Sequence, residues 1–441
     1  MLLMAAAGAI SYISFSQKIF GTNFLFNGYS RDFSFSFSYP GVWTHGSKMA
    51  KAVDGGYVIS VDGGSSSNIV KINALGKQEW VRMLIGSDDG SSFKGKGVTI
   101  DGNQGYLLIG NTDSHDLLGR EWSEAEAKRT RLMYQFTPKM ALISKINLRG
   151  EVVWQKIYGD KETNYVSSAQ HVIPVINGGF IVFGVRTIRL PDAVLGGRAK
   201  TIQTPWIFKI DTNGEVQSEF SILEVNDISV KSPSGEDIFS KPVIDSHGNI
   251  FVVVETEEIK HILDENGIDK LDAGFLGGVR NYLLLKLDQT GKELRRYQLN
   301  TDTLGIPVIV SAEAGIEMFR LNDEDTSSDK LPGFVHFRFD SELKLISSKF
   351  IAEEKFRVEA ATRSGENSFH LFGIEYNPGS DSGHATLAYL NKDGVLEYKK
   401  RFGGDYWPND IAAGNKDNEV LVFYNTDSSD VTKVEKFTLK I

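Results

Sequence analysis

The 441-residue chain is 41% hydrophobic and 24% charged, enough for a large core, and its 44 glycines against 11 prolines suit many tight turns rather than disordered linkers. A formal net charge of -9 disfavours non-specific attachment to nucleic acid through overall charge. The absence of cysteine excludes disulfides, thiolate metal centres, a cysteine nucleophile and cysteine lipidation.

Residues 1–22 open with MLLMAAAGAISYISFSQK, which is uncharged and mostly apolar as far as Phe15. A spanning helix needs about 20 apolar residues, so this run is short and fits an export signal or membrane anchor better, although the usual preceding basic residues are missing. Next, RDFSFSFSYPG from Arg31 alternates Phe and Ser with the period of a strand. The segment SKMAKAV follows, then DGGYVISVDG at Asp54, whose apolar run reads as a strand covered on both faces. After it, IVKINALGKQEWVRM from Ile69 carries Asn and, three residues on, Gly, the mark of a turn between two strands.

This four-strand unit returns along the chain. Its apolar strands recur as GNQGYLLIGNT at Gly102, NGGFIVFGVRT at Asn177, HGNIFVVVET at His247, AGIEMFRLN at Ala314, NSFHLFGIEY at Asn367 and NEVLVFYNTD at Asn418. The turn unit recurs with Lys71, Lys145, Lys209 and Lys286 in one register slot, which Arg338 and Tyr389 fill later. Seven copies of strands A, B, C and D predict an all-β chain: a seven-bladed β-propeller of four antiparallel strands per blade, one domain over 31–441. The seventh copy lacks a D strand because VEKFTLKI reaches Ile441. The Phe/Ser segment from Arg31 to Tyr39 is expected to supply it and close the ring, since a free strand would leave three phenylalanines on an open edge.

The run WQKIYGDKETNYVSSAQHVIPVINGGFIVFG, Trp154 to Gly184, resembles the repeat of a family of bacterial propeller proteins. That resemblance implies the fold and no reaction. The turns GKQEW and GEVVW, ending in Trp80 and Trp154, are similar to the blade-docking motif of quinoprotein dehydrogenases. Lys71 and Lys145 stand where that motif opens with a small residue, so the tryptophans are read as blade packing and no cofactor is expected.

The A–B and C–D turns are minimal, whereas the B–C connections carry long insertions after Thr112, from Arg186 and from Glu255. In such a blade the B–C and D–A loops share one end, so the insertions crowd one face, where binding residues collect. Ser123-Glu124-Ala125-Glu126 has capping-box spacing and predicts a short helix over 127–133. Candidate binding residues on this face are Trp43, His45, Trp122, Arg129, Tyr134, Tyr165, Arg189, Arg198, His261, Tyr406 and Trp407. The eight histidines include no pair two, three or four apart, and no nucleophile elbow or phosphate loop occurs, so no catalytic or metal residue is assigned.

The expectation is therefore a non-catalytic binding or scaffold module of the cell envelope, gripping a protein or glycan partner through the elaborated face. It would be monomeric, make no nucleic-acid contact, and be periplasmic, secreted or tethered to a membrane by its N-terminus. The alternatives are a glycan-active hydrolase or lyase at the channel mouth and a quinone-dependent oxidoreductase.

Overall fold

A computed structural model describes residues 28–440 except 39–44, 63–65, 86–92, 113–139, 160–166, 177, 196–197, 222–227, 230–237, 259–260, 264–268, 272–279, 300–304, 314, 322–332, 353–355, 377–382, 404–405 and 427–430. Every regular element among the described residues is a β-strand. They build a seven-bladed propeller whose blades are antiparallel sheets in the order A-B-C-D.

Blade one is His45–Lys51, Tyr57–Asp62, Ser66–Ile72 and Gln78–Ile85; blade two is Phe93–Asp101, Gly105–Thr112, Met140–Asn147 and Val152–Tyr158. Blade three is Ser167–Pro174, Phe180–Leu195, Arg198–Ile210 and Val216–Ser221. In blade four the inner strand is reduced to Phe239 and Val243–Ile244 around Pro242, which has no N–H to donate. Its remaining strands are Ile250–Glu258, Arg280–Leu287 and Glu293–Leu299. Blade five is Val308–Ala312, Gly315–Leu321, Phe334–Asp340 and Leu345–Ile351; blade six is Phe356–Arg363, Phe369–Tyr376, Gly383–Leu390 and Leu396–Arg401.

Blade seven takes Trp407–Ala413, Glu419–Asn425 and Val431–Leu439 from the end of the sequence and Tyr29–Ser38 from its beginning. The closing register sets Arg31 opposite Phe437 and Phe35 opposite Val434. Alternation then buries Phe35 and Phe37 against Tyr57 and Ile59 of blade one. At roughly 2 kcal/mol for each such ring removed from water, the closure is held by packing as well as by pairing. Lys440 N–H donates to the Gly28 carbonyl at 2.7 Å, so the two chain segments rebuild the C–D turn that is continuous elsewhere.

Hydrophobic clusters form at each of the seven blade interfaces. The C–D turns lock adjacent blades. Asn73 Oδ1 accepts the Leu75 and Lys77 N–H groups at 3.0 and 2.9 Å, and Gly76 sits at φ +76°. Trp80 rests on the equivalent Gly150, where an added Cβ would come within 2.9 Å of its ring, and its Nε1 donates to the Leu148 carbonyl at 3.1 Å. Trp154 repeats this one blade on, donating to Thr212. The slot lysines are buried in ion pairs: Lys71 holds Asp54 and Glu79, each at 2.7 Å, and Lys145 holds Asp101 at 2.7 Å.

The second insertion continues the B–C hairpin of blade three as a ribbon, pairing Arg189 with Thr201 and Leu195 with Arg198. The third contains a separate hairpin, His261–Leu263 against Asp269–Leu271. The helix expected over 127–133 lies outside the described residues.

Candidate functional site in the axial channel

The inner A strands converge on the ring axis, and all but one of them break their pairing in the same way. Between Gly46 and Met49, Gly95 and Gly97, Ala169 and His171, Val358 and Ala360, and Pro408 and Asp410, the A strand carries one residue more than its partner. Blade four does the same, with three residues between Phe239 and Val243 against two between Phe251 and Val254. In blade five the pairing is regular from Val308 to Ala312. A β-bulge re-aims side chains and tightens the local twist. Here six bulges at one level make a girdle around the channel, and Lys48, Lys241 and Glu359 lie in them.

The cavity at this level, about 490 Å³, is lined by Lys48, His171, Lys241, Arg357, Glu359 and Asp410 with apolar walls that include Phe239 and Phe319. A second cavity of about 380 Å³ shares Lys48, His171 and Lys241 and continues along the axis towards Lys51 and Arg363. Asp410 is buried and accepts the Met49 N–H at 2.8 Å, while Lys241, from the far side of the ring, reaches it at 2.9 Å. One ion pair thus bridges the channel between blades four and seven. Arg357 pairs with Glu359 and lies over the Tyr376 ring at 5.7 Å. Glu359 opens onto the lumen but is walled in by protein; that desolvation raises its pKa, and the positive charges of Arg357 and Lys48 oppose the rise. Lys48 makes no ion pair among the described residues, which leaves an ammonium for a ligand. His171 donates through Nε2 to the Phe239 carbonyl at 3.0 Å, and the Ser240 hydroxyl oxygen accepts the Val253 N–H, so neither group forms a nucleophile–base pair with the other.

Few of the residues expected to bind are shown together. Trp43, Trp122, Arg129, Tyr134 and Tyr165 lie outside the described residues. His45 opens the A strand of blade one opposite Asp62, Arg189 and Arg198 sit on the blade-three ribbon, and His261 is on the separate hairpin. Trp407 is 59% exposed at the start of an A strand. Tyr406 is spent on packing, stacked on Tyr424 with centroids 5.2 Å apart under Lys433. Lys48, Lys241, Arg357, Glu359 and Asp410 were not expected. Their only trace in the sequence is a charge inside an inner strand, as in SKMAKAV.

No family model and no curated protein matches the chain. Among solved structures it is similar to prolyl endopeptidases studied for inter-domain dynamics in catalysis and specificity (12% identity, TM-score 0.47, 89% of this chain and 47% of that one). It is also similar to the acylaminoacyl peptidase of Pyrococcus horikoshii (11%, 0.46, 90% and 53%). A third likeness is to the β-propeller domain of the Trilobed protease from Pyrococcus furiosus, described as having an open velcro topology (11%, 0.44, 90% and 96%). The chain spans about half the length of the first two.

These findings correct the expectation of a non-catalytic scaffold that grips a protein or glycan through its long B–C loops. The matched propellers belong to peptidases, and in this chain the convergent charged side chains line the channel rather than the elaborated face. Fold is all that likenesses of this degree describe, so function is argued from the channel.

Proposed function

We propose that the protein is a peptide-admitting ring, whose axial channel takes up a short extended peptide or chain end at the bulge girdle. The observation that carries this reading is the pairing of opposite charges across the lumen, Lys241 with Asp410 and Arg357 with Glu359, beside the spare ammonium of Lys48. A peptide end offers a carboxylate, an ammonium and amides, and each finds a complementary group within one cavity of ligand size. A polyanion would meet Glu359 and Asp410, and a sugar lacks the charges that so many lining residues could answer.

The test is calorimetric titration of the full chain with an alanine tetrapeptide bearing free termini and with its carboxy-amidated form. Saturable binding of the free peptide is expected, weakened about tenfold by amidation and by Lys48→Met or Lys241→Met, about 1.4 kcal/mol in each case. Ile346→Ser, on the outer rim, should leave it unchanged. Absent saturation, or equal binding by channel and rim variants, would overturn the reading.

A further inference from the structure

The face opposite the elaborated loops is built from short turns, and those turns are not alike around the ring. The described chain enters on this face: Gly28 lies against Tyr398 and accepts the Lys440 N–H at the rebuilt turn. Near that entry, on blades one to three, the turn tips expose Val53, Leu75, Leu148 and Ile176; Leu75 is 82% exposed. Leucine at a turn tip does nothing for the turn, which its neighbours Asn73 and Gly76 already specify. Lys77, Arg149, Lys392, Lys416 and Lys440 are exposed around these tips. Across the ring, the tips of blades four and five are polar or acidic, with Ser246, His247, Thr290, Ser341 and Glu342. The face is therefore polarised, apolar and basic beside the chain entry and polar far from it.

Upstream of Gly28 the sequence holds the uncharged apolar run 2–15. The residues between the two can reach about 40 Å at most when extended. Whatever takes up that run is thus held within reach of the apolar, basic sector.

We propose that this sector is a membrane-docking surface, seated on an anionic lipid bilayer with Leu75 and Leu148 at the interface and the elaborated face turned away. Apolar tips ringed by lysine and arginine are the chemistry of interfacial attachment, in which shallow burial of side chains adds to attraction for anionic headgroups. The acidic tips of blades four and five set a tilt, because they are repelled by the same surface. This proposal is independent of the channel reading. It concerns which way the ring faces.

The chain has no cysteine, so a single introduced one can be labelled cleanly. The full chain carrying Leu75→Cys, Leu148→Cys or Thr290→Cys is coupled to an environment-sensitive fluorophore. Each is then mixed with phosphatidylcholine vesicles, with or without phosphatidylglycerol and a lipid-borne quencher. The expected result is a blue shift and quenching at positions 75 and 148 but not at 290, stronger with phosphatidylglycerol and reduced by salt. Bound protein whose three labels are all unquenched would show tethering by the N-terminal run alone. Equal quenching at all three would show non-specific adsorption, and no vesicle binding would remove the surface altogether. Each of those outcomes overturns the proposal.

Discussion

Acid should weaken the blade six–blade seven interface through one histidine. His370 is fully buried, and its Nδ1 lies 2.8 Å from the Tyr29 hydroxyl of the closing strand. Burial lowers its pKa from 6.5 to about 4, against a smaller upward pull from the Asp417 backbone. The unfolded chain protonates this side chain near pH 6.5, whereas the folded one resists until about pH 4. Stability is therefore complete above the unfolded value and declines as pH falls between the two. About 2.5 pKa units at 1.36 kcal/mol each gives a loss on the order of 3 kcal/mol at pH 4. With an unfolding entropy of about 2.1 cal/mol/K per residue, a chain this size loses about 0.9 kcal/mol per degree near Tm, so the shift is roughly 4 °C. Carboxylates titrate in the same range, which makes the informative quantity a difference. Thermal melts from pH 7.5 to 4 should fall about 4 °C further for the native chain than for His370→Gln, which keeps a polar partner for Tyr29. Parallel pH dependence in the two proteins would refute the argument.

Three further substitutions test the packing and the girdle. Asp410→Ala leaves the Met49 N–H unpaired and should cost about 1–3 kcal/mol in melts, whereas Asp410→Asn keeps an acceptor and should cost less. Lys71→Met should stay within about 1 kcal/mol of the native chain, because Asp54 and Glu79 are half exposed and rehydrate. Truncating both carboxylates by Asp54→Ala with Glu79→Ala strands a buried ammonium and should cost about 3–5 kcal/mol by the same assay. Leu343 occupies φ +59° where other C–D turns have glycine, yet it is buried among Phe339 and Met318. Leu343→Gly should relieve roughly 1 kcal/mol of strain but lose about 3 in packing, a net destabilisation visible as a lower Tm.

The ring was legible because its demands repeat. A B strand flanked by sheets on both faces must be apolar throughout, as Leu107, Leu108 and Ile109 are, and a turn glycine at positive φ resists replacement. The closing strand showed itself by Phe/Ser alternation beside a blade short of one strand. The channel was not legible for two physical reasons. Lys241 and Asp410 are 169 residues apart and meet only because blades four and seven face each other across the axis. Each bulge also inserts a residue that breaks period-two alternation, so Lys48 and Glu359 read as ordinary surface charges on irregular strands. Tyr406 misled in the opposite sense, since an aromatic beside a loop gives no sign that Tyr424 is already stacked against it.

The bulges separate what the fold requires from what the channel presents. A bulge is a property of register, so its side chain can change with little cost to the ring, while its presence cannot. Glu359→Gln should leave Tm within about 1 °C, as expected for a site whose pairing lies in the backbone. Deleting Glu359 is different. Pairing would become regular from Val358 to Ala360, and every residue before the former bulge would turn to the opposite face of the sheet. Phe356, buried between blades five and six with Phe334 and Phe369, would leave that cluster. Loss of one such ring costs about 3–5 kcal/mol, or roughly 3–6 °C on the scale above, before any loss from the strand's own hydrogen bonds. If deletion and substitution melted together, register would not be what the bulge protects, and the girdle would lose its structural basis.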